Sequence, residues 1–371
     1  PQAQSLADRQ PRWRCARSSA PRARAAMALA PLPLHGSPSG GAAAQALRGV
    51  LAGGRQWRRT ADHDRGQRDW QLDAKRLREQ ITSLGRARCW HDALGALAAA
   101  QVLGCEVDAM VCSAAMSACE KGFQWRAAME ALGNFASVDL EPDVVTWSTS
   151  VSACEKGQQW GLALGLLQAA QQRGLEPNAI THNAAISACE KGLQWALALG
   201  VLLELRRRGL APTRITYNAA ISACEKGAQW EMALELLGEA KANTLEPNVV
   251  SYSAAISACA KAGARWEPAL LLLAEMRREG HLPNAITYSA ALGACCHGRQ
   301  VLQLLQEMRS TGVRPDAVAC NAAIGACERC QDWELALSLL LEMQLRGPAP
   351  DVISYSTAMS ACEKGQRWEL A

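Results

Sequence analysis

Between Pro177 and Ala211 the apolar positions follow two helical periods separated by a short turn. Ile180, Ala184, Ala185, Ile186, Ala188 and Cys189 fall on one broad face of a helix from Ala179 to Glu190. Pro177 cannot continue a preceding helix, and Asn178 suits a cap. Lys191-Gly192 ends this first helix, and Gly192 is expected to take the left-handed conformation there. Trp195 opens a second helix, with Leu197, Ala198, Leu199, Val201, Leu202 and Leu205 apolar. Arg206, Arg207 and Arg208 occupy its last turn, where cations suit the helix dipole, and Gly209 closes it.

The same pattern recurs along the chain. Trp90, Trp125, Trp160, Trp195 and Trp230 stand 35 residues apart; Trp266 is one late, and Trp333 and Trp368 are again 35 apart. Pro142, Pro177, Pro212 and Pro247 keep the same step of 35. One helix pair cannot bury both of its apolar faces, but stacked copies can. The expected fold is therefore all-α, a right-handed α-solenoid of antiparallel helix-pair repeats. A worn unit spans about Leu72 to Glu106 and is expected to cap the array. Better copies begin at Val107, Pro142, Pro177, Pro212, Pro247, Pro283 and Pro315, and a truncated one at Pro350. The array thus occupies residues 72–371, about eight units with the last one cut short. The Pro247 unit has one extra residue near Ala262-Gly263-Ala264. The Pro283 unit lacks three residues and its tryptophan around Gln300-Val301, so its second helix is expected to be a turn shorter.

Residues 1–71 differ in kind, as a basic Pro/Ala/Arg-rich leader. Residues 1–60 alone hold ten arginines, no lysine and one acid, giving +9 of a total formal charge of +4 and leaving −5 for the rest. Such a leader resembles an organelle transit peptide; a low-complexity tail, or translated sequence upstream of Met27, is the plainer reading. The solenoid is not globally basic, so a nucleic-acid footprint on it must be a stripe on one face. No apolar run reaches the length that spans a bilayer, about 18 residues. A first residue of Pro and a last unit ending inside its second helix suggest a piece of a longer chain.

Fifteen cysteines raise the question of disulfides or zinc. Eight of them, Cys119, Cys154, Cys189, Cys224, Cys259, Cys295, Cys327 and Cys362, occupy one position of the repeat, as expected of small packing residues. Cys327-x-x-Cys330 has zinc-ligand spacing, but no second pair answers it. The six histidines are scattered, and no deaminase, P-loop or nucleophile-elbow signature is present. No metal, cofactor or catalytic residue is therefore expected. The tryptophan column is expected to be core. A lysine recurs at one position, in Lys121, Lys156, Lys191, Lys226, Lys261 and Lys364. It is either a solvated turn residue or a ladder of positive points that tracks phosphates.

A unit of the form V-[TS]-Y-[NS]-A-x-I-S-A-C-x-K-G…W-E-x-A-L-x-L-L-x-E-M-x-x-x-G-x-x-P-[ND] resembles the pentatricopeptide repeat. Ile215-Thr216-Tyr217-Asn218 with Gly227, and Ser251-Tyr252-Ser253 with Glu275-Met276 and Gly280, carry the likeness. The resemblance implies single-stranded RNA binding in a chloroplast or mitochondrion, one base per repeat. It also implies two base readers per unit: an Asn or Ser early in the first helix, and the residue after the closing proline. Carried over, these pair Ser113 with Asp143, Ser148 with Asn178, Asn183 with Thr213, Asn218 with Asn248, Ser253 with Asn284, Ser289 with Asp316, and Asn321 with Asp351. The residues sandwiching each base would be Met110, Val145, Ile180, Ile215, Val250, Ile286, Val318 and Ile353. The family's pairing rules then spell G-A-Y-Y-A-G-U from the Val107 unit onward. Asn and Ser early in a helix are also ordinary capping residues.

The resulting expectation is a monomeric, non-enzymatic, sequence-selective RNA-binding protein without cofactor or membrane, acting in RNA processing, stability, editing or translation. Two other readings stay open: a protein-binding scaffold using the same groove for a peptide, and the targeting half of an enzyme whose catalytic domain follows Ala371.

Overall fold

The structure, a computed structural model, describes residues 68–102, 107–137, 142–263, 265–367 and 369. The leader, apart from residues 68–71, and Trp368 lie outside the described residues. Those described form seventeen α-helices and no strand. They run α1 (Arg68–Arg86), α2 (Trp90–Val102), α3 (Ala109–Lys121), α4 (Trp125–Ser137), α5 (Val144–Lys156), α6 (Trp160–Gln172), α7 (Ala179–Lys191), α8 (Trp195–Arg207), α9 (Arg214–Lys226), α10 (Trp230–Ala242), α11 (Val249–Lys261), α12 (Trp266–Arg278), α13 (Ala285–Ala294), α14 (Gly298–Ser310), α15 (Ala317–Cys330), α16 (Trp333–Arg346) and α17 (Val352–Lys364). Odd-numbered helices are the first helices of units and even-numbered ones the second.

Each first helix packs on the first helix of the next unit, and each second helix wedges between its own first helix and the following one. This is an all-α solenoid. Its core is continuous from Trp147 to Ala361. Small residues make the close approach of first helices possible: Ala185, Ala188 and Cys189 in α7, and Ala220, Ala223 and Cys224 in α9, are buried. The eight cysteines of the periodic column are fully buried. Burial pushes the thiols of Cys154, Cys189 and Cys224 up to about 11, so they stay protonated and behave as packing groups.

The tryptophan column holds the register. Trp160 of one unit lies on Gly192 of the next, and a methyl group at Gly192 would overlap the indole ring. The same contact recurs for Trp90 with Gly122, Trp125 with Gly157, Trp195 with Gly227 and Trp333 with Gly365. The rings are half-buried at this junction rather than fully enclosed in the core, with Trp160 at 36% exposure. Gly192 is therefore not the left-handed cap that its place in the sequence suggests. Its φ is −82°, and the left-handed residue is the next one, Leu193, at φ +59°. The glycine is needed for a close approach, not for a torsion.

The Pro283 unit also departs from expectation. Its second helix keeps a full 13 residues, whereas its first, α13, is cut to 10 and ends at Ala294. The three missing residues thus come out of the end of the first helix and its turn. The reason lies in the neighbours: α14 still has to present Val301, Leu304, Leu305 and Met308 to the core. Gly298 stands where other units have tryptophan, and Cys330 of the next unit stands where others have the matching glycine. A Cβ at position 298 would run into Asp332 and Leu335. Upstream, Trp266 meets the His297 ring edge-on at 5.9 Å instead of a glycine.

Two outcomes are expected. Gly192→Ala should lose about 1–3 kcal/mol in chemical denaturation by overpacking the Trp160 contact. Leu193→Gly should change stability by less than about 1 kcal/mol, because relief at positive φ is offset by unfolded-chain entropy. Equal losses from both would contradict the contact. In native-state hydrogen exchange, residues 283–314 should open before the Pro177 and Pro212 units, since this unit lacks the indole contact and part of α13. Uniform protection along the array would refute this.

Candidate nucleic-acid interface

The first helices begin alike. An Asn, Asp or Thr caps each helix through its side chain, as Asn178 does to the Thr181 amide at 3.0 Å and Asp316 to that of Ala319 at 2.8 Å. Two residues after the cap comes an apolar side chain that the core does not take up. Met110, Val145, Ile180, Ile215, Val250, Ile286, Val318 and Ile353 are all between 56% and 69% exposed. Eight large apolar groups in one register on one face of the stack are unusual where each helix already has a buried face. Their exposure follows from the helical period: they lie one turn ahead of the reader position, on the stripe that leaves the core.

The residues that the resemblance assigns as readers are hydrogen-bonded together, directly or through a hydroxyl, at five of the seven junctions. Asn218 Nδ2 donates to Asn248 Oδ1 at 3.4 Å, and Asn321 Nδ2 to Asp351 Oδ1 at 3.1 Å. Ser113 and Asp143 are joined through Thr146, which lies 2.7 Å from Ser113 Oγ and 2.6 Å from Asp143 Oδ1. Asn183 and Thr213 meet through Thr216, and Ser253 and Asn284 through Thr287. Ser289 instead turns its hydroxyl to the Ala285 carbonyl at 2.7 Å, and Asp316 bonds only its own helix end. Hydrogen bonds from Ser354 and Asn321 hold the Asp351 carboxyl below its ordinary range. Ser253 is the most enclosed of the readers, at 9% exposure.

The linking residues Thr146, Thr216, Ser251, Thr287 and Ser354, with Thr181 at the same place bonded to Asn178, form a buried hydroxyl column that sequence reasoning passed over. Its signal was present as the Thr or Ser two places before five of the seven first readers, from Ser148 to Ser289. What hid its role is that it serves the reader of the preceding unit, 33 or 34 positions earlier.

The lysine column has partners. Lys156, Lys191, Lys226, Lys261 and Lys364 each reach a glutamate of the preceding unit at 2.8–3.0 Å: Glu120, Glu155, Glu190, Glu225 and Glu328. Ser187, Ser257 and Ser360 add a bond at 2.8 Å to Glu155, Glu225 and Glu328. Lys364 and Ser360 hold the Glu328 carboxyl below its ordinary range despite partial burial. The column thus forms an inter-unit ladder, leaving each ammonium half-neutralised. Lys121 has no carboxylate partner among the described residues; Gly85 stands where the glutamate would be. It lines a 310 Å³ pocket with Arg86, Arg88, Phe123 and Lys156. In the Pro315 unit Arg329 takes the lysine position and donates to the carbonyl of Gly293 at 2.6 Å, because the shortened α13 supplies no glutamate. Among the described residues, no group of His, Cys, Asp and Glu could hold a metal ion, and no helix is long and apolar enough to cross a membrane.

Stacked helix pairs of one length, with a periodic surface built across their junctions, define a helical-repeat protein with an extended binding face. Residues 212–261, 247–297 and 315–364 match the PPR repeat family, and residues 165–226 match the pentatricopeptide repeat domain. The chain belongs to the pentatricopeptide repeat family. No curated protein sequence matches it. Among solved structures it is similar to the pentatricopeptide repeat protein PPR10 from maize, at 22% identity and a TM-score of 0.50, over 88% of this chain and 51% of that one. The fold is what the two share, and the chain spans about half the length of that structure. PPR10 in complex with an 18-nt psaJ RNA element aligns at 22% identity, covering 88% of this chain and 56% of that one, with a TM-score of 0.39. The PPR domain of Arabidopsis thaliana protein-only RNase P 1, in complex with tRNA, aligns at 15% identity over 60% of this chain and 95% of that one, with a TM-score of 0.33.

The exposed apolar column makes a stability prediction. Ile180→Ala should cost within about 0.5 kcal/mol, as surface changes do. Ile186→Ala, two turns on and fully buried, should cost about 2–5 kcal/mol. Comparable losses at both sites would mean that the exposed column contributes to folding after all.

Proposed function

We propose that the chain binds single-stranded RNA along its first-helix face, one base per unit junction, with sequence selectivity. The observation that carries this reading is the register of eight exposed apolar side chains, with a hydrogen-bonded polar pair beside them at five of the seven junctions from Ser113 to Asp351. An exposed aliphatic group offers a surface for the face of any base, while the reader pair meets its edge. Family membership supports the same reading. The protein acts without a catalytic step of its own, as a monomer, in processing, stability, editing or translation of a chloroplast or mitochondrial transcript, and its leader serves as the transit peptide. The lysine column follows the phosphates. Because five of its members share their charge with glutamates, it contributes less than six free cations would.

Selection from a random RNA pool should return G-A-Y-Y-A-G-U. Six fully released phosphate contacts would give a log–log salt slope of about −4 for a single strand, and the measured slope should be shallower. Binding no tighter than about 10⁻⁴ M would point to a peptide scaffold instead. Asp316→Asn keeps a capping side chain but replaces an acceptor by an amide that also donates. It should move the sixth base from guanine toward adenine by about 1–3 kcal/mol of discrimination, by analogy with base-edge contacts in DNA. Selection of the same base by parent and variant would show the assigned reader register to be wrong.

A further inference from the structure

The buried hydroxyl column does more than cap helices. We infer that it fixes the hydrogen-bond polarity of five of the seven first readers, making Ser113 and Ser253 outward acceptors and Asn183, Asn218 and Asn321 outward donors, and is thus a set of positioning residues for base selection. The inference rests on the RNA-binding reading above and concerns what each junction offers to a base.

A hydroxyl has one proton to give. At the first junction Asp143 can only accept, so Thr146 gives its proton to Asp143 Oδ1 at 2.6 Å. Ser113 then sends its own proton inward, to Thr146 at 2.7 Å or to the Ala109 carbonyl at 2.8 Å. Either way its lone pairs face out. Ser113 and Asp143 present two acceptors, which suits a base edge with two N–H donors, as guanine has. At the Ser253 junction Thr287 donates to Asn284 Oδ1 at 2.9 Å, leaving the Asn284 amide N–H groups outward beside an accepting serine. An acceptor beside a donor suits adenine.

The asparagine junctions run the other way. Thr216 Oγ1 donates to Asn183 Oδ1 at 2.6 Å, and Ser354 Oγ lies nearer Asn321 Oδ1, at 2.6 Å, than Asp351 Oδ1, at 2.9 Å. Ser251 Oγ lies 2.5 Å from Asn218 Oδ1, nearer than the 3.0 Å to Asn248 Oδ1. In each case the amide oxygen is held inward; one N–H of Asn218 and of Asn321 reaches across the junction to Asn248 and Asp351, and the other is left for a base. An unheld asparagine can turn its amide over and show either end. The hydroxyl removes that choice, and its burial keeps water from competing with it.

The Pro315 unit is the natural exception. Ala319 occupies the hydroxyl position, fully buried, and nothing links Ser289 to Asp316. That unit shows that alanine is accommodated at this place in the stack and that the helix cap survives it.

The test is base preference, junction by junction, measured for the whole chain on RNAs that vary one base at a time. Ser251→Ala should flatten the pyrimidine preference at the fourth base by about three- to tenfold, the worth of one hydrogen bond. The other six bases should be read as before. Ser251→Thr, which keeps the hydroxyl, should restore the preference. Ala319→Ser should sharpen the sixth base by a similar factor. A purely structural column would lower affinity for all bases alike in Ser251→Ala and leave Ala319→Ser without effect; either result overturns the inference. Parent-like selectivity of Ser251→Ala overturns it as well, while the RNA-binding reading stands. Failure of the parent chain to bind any RNA removes both.

Discussion

The contact between the indole of one unit and the glycine of the next sets everything else. Trp160 against Gly192 fixes how closely the second helix of one unit approaches the first-helix end of the next. Repeated at 35-residue intervals, it places the cap of each first helix beside the fifth residue of the previous one, where the reader pairs meet. Where the stack changes, the contact is replaced: Trp266 meets His297, and Ala262 stands where Trp230 would meet a glycine. Gly298 and Cys330 replace tryptophan and glycine together, and the array continues with α15 in register.

Charge is organised by the same junctions. Two ladders run along the stack. One joins the lysine column to the preceding glutamates on the first helices; the other joins second helices, as Arg206 to Glu239 at 2.6 Å and Lys241 to Glu275 at 2.8 Å. Individually such half-exposed pairs contribute little to stability, about 0.2–1 kcal/mol each. Their larger effect is on where free charge remains. Five lysines of the first-helix column are paired within the protein, and on the RNA-binding reading proposed above this shifts the burden of discrimination to short-range contacts at base edges. On that reading selectivity would gain, because a strongly basic groove binds any phosphate chain alike.

The fold was legible in the sequence to the extent that its forces act within a unit. Apolar periodicity and capping residues lie within one helix, and they gave the helix pair and its length; they put Ile180 on the face of Ala184 and Ile186, whereas it is exposed, and only the family resemblance implied its outward column. Interactions between units were harder to read. Gly192 looks like a C-cap because glycine usually is one, but a residue 32 positions earlier, Trp160, decides its role. The glutamate before each lysine looks like a partner in its own turn, yet it pairs with the lysine of the following unit, 36 positions on. The missing residues of the Pro283 unit were sought in the second helix because the tryptophan was lost there. The structure places the cut in the first helix, since the second still has to fill the core between two neighbours.

Recognition at junctions rather than within units has a consequence for how such a protein can change. The two groups that would touch one base sit about 30 residues apart, on different helices, joined by a hydroxyl of the second. Moving or duplicating a whole unit therefore alters two junctions while leaving every internal contact intact. A substitution at the cap alters one reader and keeps the cap, because Asn, Asp and Thr all accept from the third amide of the helix. Stability and selectivity are thus separable at the reader positions. At the tryptophan and its glycine a change falls first on packing between units, as Trp160 against Gly192 shows. Cap identity varies from Asp143 to Asn178 to Thr213 over three successive units, while the indole and its glycine are kept at each.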